Sequence, residues 1–172
     1  MTRPTLYLSN FASYRTPGMH GPGAKWSIML WTPEWAKRRG MIEALQPGDN
    51  LARLMHQLVG LRRLGHRDEN LLATYRTGYE DRLARLLHHE DVFEQYRLSP
   101  GLLRCVYSST GENDVAEMQS DDGVRVRDGD TLCCACSVAE ARAGRCHRTW
   151  AAPFLARAGW RVVLDGVEAP NA

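Results

Sequence analysis

This chain of 172 residues predicts an α/β fold, one domain built on a mostly parallel sheet of about five strands flanked by helices. Three observations carry that expectation. Short β-rich apolar runs recur toward both ends of the chain and are separated by longer segments of helical period. The C-terminal third reads strand, loop, helix, strand, the unit that joins parallel strands of one sheet. The length, with 44% hydrophobic residues, suits a single core across residues 1–172.

Thr5 to Ser9 is rich in β-formers and reads as the first strand, and Trp26 to Trp31 as the second. The two prolines and several glycines between Tyr14 and Gly23 continue neither, so that stretch is a loop. Thr32-Pro33-Glu34 supplies an N-cap, a first-turn proline and an early acid for a short helix through Arg39. Asp49 or Asn50 caps the next helix, which carries Leu51, Leu54, Met55, Leu58 and Leu61 at three-four spacing until Gly65. A third helix runs from about Asp68 to Leu87 on the face of Leu72, Tyr75, Tyr79, Leu83 and Leu86, with Gly78 a weak point of about 1 kcal/mol against alanine. Leu102 to Tyr107 reads as a strand, and residues 108–130 as an acidic loop or excursion. Thr131 to Cys136 is a buried strand, Ser137 to Arg145 a loop or a stray turn, and Cys146 opens a helix whose apolar face is Trp150, Ala151, Phe154, Leu155 and Ala158. Pro153 inside that helix predicts a kink or a start nearer Thr149. Gly159 precedes a last strand, Trp160 to Leu164.

Composition excludes some classes. No apolar run is long enough to span a bilayer, and the N-terminus lacks the pattern of a signal peptide. The expectation is a cytoplasmic protein whose five cysteines are thiols or metal ligands rather than disulfides. A formal charge of +2 does not by itself argue for nucleic acid.

Parallel strands bring their carboxyl ends to one edge, where ligands of such sheets bind. Ser9, Asn10, Thr32, Cys136 and Asp165 would rise there beside Cys146-His147-Arg148. The positive end of a helix favours an anion, and the guanidinium fork of Arg148 suits phosphate. The same field stabilises a thiolate at Cys146, with His147 as a base or acid near neutral pH. Cys146 and His147 are thus the candidate catalytic pair, and Ser9, Asn10, Thr32 and Arg148 the candidate substrate-binding set. Phe11, Trp31 and Trp35 could stack on a base, or simply fill the core. Alternatively Cys146 packs in the core and Arg148 is solvated. As a further alternative, Cys134, Cys136, Cys146 and His147 offer a tetrahedral zinc or iron site, although the spacing is not that of a zinc knuckle. Cys136 and Arg142 stand at the spacing of a cysteine-phosphatase loop, but the intervening Ser-Val-Ala-Glu-Ala has no glycine to let amides approach phosphate.

Strand, cysteine, short loop and Cys-His-Arg before a C-terminal helix, with Ser9-Asn10-Phe11-Ala12 after the first strand and Ser27-Ile28 leading to Thr32-Pro33-Glu34-Trp35, resembles the domain-of-unknown-function family 488. The resemblance covers both ends of the chain and is loose through the middle. It implies a small cytoplasmic α/β protein of bacterial or phage type, and leaves the activity open. The family pattern has Cys, one residue, then Glu at the strand end; here Cys134 takes the first place and Cys136 stands where the Glu would be. A carboxylate is lost and a thiol gained. The function expected from these residues is a phosphate-recognising site acting on nucleotides or modified nucleic acid. A non-catalytic regulator or inhibitor that binds a host protein through Glu112 to Asp130 is the alternative from another class.

Overall fold

The structure, a computed structural model, describes residues 2–29, 40–88, 98–103 and 125–169. Among these residues five strands, β1 (Thr5–Asn10), β2 (Lys25–Ser27), β3 (Thr131–Cys134), β4 (Arg161–Leu164) and β5 (Val167–Glu168), form one sheet in the order β2-β3-β1-β4-β5. The first four are mutually parallel, and β5 folds back antiparallel on β4. The expected α/β sheet is therefore present, but its strands are not all the expected ones. Leu102 lies in a turn, and residues 104–107 fall outside the described residues. The fifth strand is instead the return of a hairpin, turned at Asp165 and Gly166 with φ of 48° and 82°. Asp-Gly is the dipeptide that favours such a turn, because both central residues must take positive φ.

Among the described residues four α-helices accompany the sheet: α1 (Asp49–Arg63), α2 (Glu69–His88), α3 (Val138–Arg142) and α4 (His147–Arg157). α1 and α2 fall within a residue or two of their expected bounds, though Gly48, not Asp49 or Asn50, occupies the N-cap of α1. Asp68 caps α2 by accepting from the Leu71 amide. α3 occupies the stretch expected to be a loop or a stray turn, capped by the Ser137 hydroxyl, which accepts from the Glu140 amide. α4 begins at His147 with Cys146 as N-cap and runs through Pro153. Pro153 and Arg157 are exposed and Thr149 is half-buried, a narrow stripe at spacing four, and the rest of α4 through Ala156 is buried. Proline is tolerated there because solvent can satisfy the carbonyl that its missing N–H leaves open.

The core lies on the helix side of the sheet. Leu6 and Leu8 of β1, Leu132 and Cys134 of β3 and Val162 of β4 point into it and meet Tyr79 and Leu83 of α2 and Trp150, Ala151 and Leu155 of α4. Three large side chains are anchored by their polar ends: Tyr79 donates to the Leu45 carbonyl, Trp160 to Leu98 and Trp150 to Gly144. The opposite face is covered by the loop between β1 and β2. Gly21 and Gly23 make that possible, since a Cβ at Gly21 would run into the Gly129 carbonyl and the Tyr7 ring, and one at Gly23 into Asp130. Asp130 is buried and accepts from the amides of Ala24 and Arg127 and from the Trp26 indole, tying loop, β2 and the turn before β3 together.

Candidate functional site

β1 and β3 pair in register, Asn10 beside Cys134, so both strands end at one edge of the sheet. The start of α4 and the end of β4 reach the same edge. Of the residues expected there, Ser9, Asn10, Cys134, Cys136, Cys146, His147, Arg148 and Asp165 are placed; Thr32, Trp31 and Trp35 lie outside the described residues.

Arg148 is the centre of the arrangement, and it is neither solvated nor turned toward a ligand. Its side chain has 0% exposure. Nε and Nη2 donate to Asp165 Oδ2 at 3.2 and 2.8 Å, Nη1 to Cys134 Sγ at 2.8 Å and the Cys136 carbonyl at 2.7 Å, and Nη2 also to the Ser137 carbonyl at 3.2 Å. A guanidinium has five N–H groups, and these five bonds occupy them all. The alternative of a solvated Arg148 is thus corrected, and a phosphate at the expected Arg148 fork would have to displace protein acceptors. Asn10 is likewise engaged, its Oδ1 accepting from the Ser13 amide and hydroxyl.

Three sulfurs gather beside it. The Sγ atoms of Cys134, Cys136 and Cys146 lie within 4.8 Å of one another, with Cys134 and Cys146 in contact at 3.5 Å. Period two places Cys134 on the helix side of β3 and leaves buried Cys133 on the other face. Burial opposes a charge on Cys134, but hydrogen bonds from the Cys136 and Cys146 thiols, with the charge of Arg148 beside it, outweigh it and hold its pKa below the ordinary thiol value. The bond to Cys134 in turn pushes Cys136 up to about 12 and Cys146 well above the ordinary value, burial adding to both. Of the three sulfurs Cys134 is the one that accepts a bond from the Arg148 guanidinium, which favours its charged form. Against the expectation of a thiolate at Cys146 stand its burial and its place 3.5 Å from the sulfur that accepts from Arg148.

His147 does not join the sulfurs. Its Nε2 donates to the Ile28 carbonyl at 2.9 Å and its ring meets Tyr79 edge-on at 5.6 Å between centroids. Burial lowers its pKa, so the ring is neutral near pH 7. Among the described residues the candidate metal donors are the three cysteines alone. Arg142 is exposed at the end of α3, a helix where a phosphatase loop would need an open cradle.

Beside the cluster opens a cleft of about 280 Å³. Its floor includes Ala135, Cys136 and His147, its walls Met29, Met55, Leu58, Leu72 and Tyr75, and its rim Arg62, Arg67 and Arg145 with Glu69 and Glu140. Ion pairs Arg145–Glu69 at 2.7 Å and Arg67–Glu140 at 3.4 Å join the start of α2 to the α3 segment across that rim. Sequence reading missed the cleft because its walls come from apolar positions that look like core. It named Asp165 for the edge but not as the partner of Arg148, and no local signal marks that pairing across sixteen intervening residues.

No family model, curated protein or solved structure matches this chain. Among the described residues no helix is long and apolar enough to cross a membrane.

Proposed function

We propose that the chain holds a zinc or iron ion through Cys134, Cys136 and Cys146 and presents it to a small molecule bound in the adjoining cleft. The observation that carries this reading is the convergence of three sulfurs, from the end of β3 and the start of α4, within 4.8 Å of one another. Tetrahedral zinc with sulfur ligands about 2.3 Å away needs sulfurs roughly 3.8 Å apart, so closure asks for movements of about an ångström. Arg148 on Cys134 is the kind of outer hydrogen bond that orients a thiolate ligand. Cys136 belongs both to the cluster and to the cleft floor, so a fourth ligand would arrive from the cleft. The resemblance to the domain-of-unknown-function family 488 agrees with this reading in one respect: the third thiol stands where that pattern has Glu. A nucleotide or other phosphate ligand finds less support, because Arg148 has every donor engaged and the cleft walls are apolar.

The test is elemental analysis of the full chain purified without chelator. About one equivalent of zinc or iron is expected, lost in Cys136→Ser and retained in Cys133→Ser, whose sulfur lies on the other face of the sheet. Metal-free protein that takes up neither ion would end the proposal. A second reading, a dithiol redox pair, is favoured by the 3.5 Å contact between Cys134 and Cys146. Peroxide would oxidise the two thiols to one disulfide with loss of two electrons and two protons, and mass spectrometry would find Cys134 linked to Cys146.

A further inference from the structure

Four buried side-chain polar atoms have no hydrogen-bond partner among the described residues, and three of them, Ser9 Oγ, His20 Nδ1 and Asp165 Oδ1, belong to one end of β1. Their placement follows from the strand. The Asp165 amide donates to the Leu8 carbonyl at 2.9 Å, and His20 Nε2 bonds the Asn10 carbonyl at 3.0 Å. Carbonyls two residues apart point to the same side of a strand, so the Asp165 backbone and the His20 ring are both held to the β4 side of β1, at the residues that flank Ser9 in sequence. The charge of Asp165 is felt at His20 accordingly. Ser9 has 0% exposure and the Asp165 side chain 4%.

The chemistry of the three atoms selects what they can hold. A carbonyl only accepts, so His20 Nε2 carries the proton and Nδ1 presents a lone pair. Asp165 Oδ1 is an acceptor too, since both guanidinium bonds fall on Oδ2. Ser9 Oγ can donate or accept. Two acceptors and one amphoteric group call for a donor. A phosphate or carboxylate brings acceptors and negative charge, and is the wrong ligand.

We propose that the end of β1 binds a small group bearing N–H or O–H donors, a water molecule or a protonated amine, between Ser9, His20 and Asp165. A water would donate to Oδ1 and Nδ1 and accept from the serine hydroxyl, and an ammonium group would donate to all three. Buried polar groups are otherwise paired almost without exception, and one such group satisfies all three at once. The site is separate from the sulfur cluster and does not rest on the metal reading. Asp165 touches both, with Oδ1 toward this group and Oδ2 holding the arginine that holds Cys134.

The test is a high-resolution crystal structure of the full chain grown without ammonium, together with thermal melts in ammonium, methylammonium or potassium chloride at equal ionic strength. A density peak within hydrogen-bond distance of Ser9 Oγ, His20 Nδ1 and Asp165 Oδ1 is expected. If melts in the three salts coincide, that peak is water. A rise specific to ammonium or methylammonium that Ser9→Ala abolishes identifies an amine site. His20→Phe replaces Ser9→Ala should the latter fail to fold, and is expected to abolish the same rise and the peak. No peak, with identical melts in all three salts, overturns the proposal.

Discussion

Arg148 carries a full charge into a place with no exposure, and it is tolerated there because each of its five N–H groups has an acceptor. Charge and donors are then compensated unequally at the other end. Both guanidinium bonds to Asp165 land on one oxygen, and burial keeps the carboxyl above its ordinary pKa despite the adjacent arginine. Removing the arginine would strand a carboxylate, a sulfur and two carbonyls together. Arg148→Met is expected to lower unfolding free energy by about 3–5 kcal/mol in denaturant titration, and Arg148→Lys by a similar amount, because an ammonium lacks the planar fork that reaches four acceptors. A loss under 1 kcal/mol for the methionine variant would contradict this account. His20 gives a pH prediction. Its folded pKa is lowered below 6.5, first by burial and then by Lys25, while the Asn10 carbonyl and Asp165 oppose the shift. The unfolded chain therefore binds more protons below about pH 6.5. The contribution is fully present above that value and is lost as pH falls through the folded pKa. Between pH 7.5 and 5, stability of the wild type should fall more steeply than that of His20→Gln, and parallel curves would sink the idea.

At the scale of elements, close approach decides more than propensity. Gly21 lets the loop after β1 lie on the sheet, and its alanine variant must push against backbone and the half-buried Tyr7 ring. Gly21→Ala is expected to cost about 1–3 kcal/mol, read as a lowered midpoint of chemical unfolding. A midpoint unchanged from wild type would show that the loop can lift without penalty. Gly78 was a weak point by propensity, yet a Cβ there would meet the Leu51 side chain of α1, so it sets how closely α1 and α2 pack. The long helices were legible because leucines at three-four spacing and end signals agree, and the central strands because short β-rich runs are bounded by loop residues. α3 was overlooked because five residues carry no period, although Ser137 and Glu140 stand at capping-box spacing. The β5 hairpin was overlooked although Asp165-Gly166 is its turn signal. The edge on which the site residues gather was readable from parallel topology alone. Which cysteine holds the charge was not, because that depends on distances between sulfurs that sequence does not contain.

Across the whole molecule the sulfur cluster sits where the sheet and its helices are fastened to one another. Cys134 ends the strand between β1 and β2, and Cys146 starts the helix that packs on α2, β1 and β4. A group bridging them would join the middle of the sheet to the most buried helix, so unfolding anywhere in the core would have to release it. Binding of that kind stabilises the native chain by mass action, about 4 kcal/mol when free ligand exceeds its dissociation constant a thousandfold. Protein stripped with chelator and titrated with zinc should therefore show a single cooperative transition whose midpoint climbs with free zinc. The climb should vanish in Cys136→Ser and persist in Cys133→Ser. Because thiols must lose protons to bind, it should also weaken as pH falls. A midpoint indifferent to zinc and to chelator across that series would mean that the three sulfurs are packed against one another for the core alone.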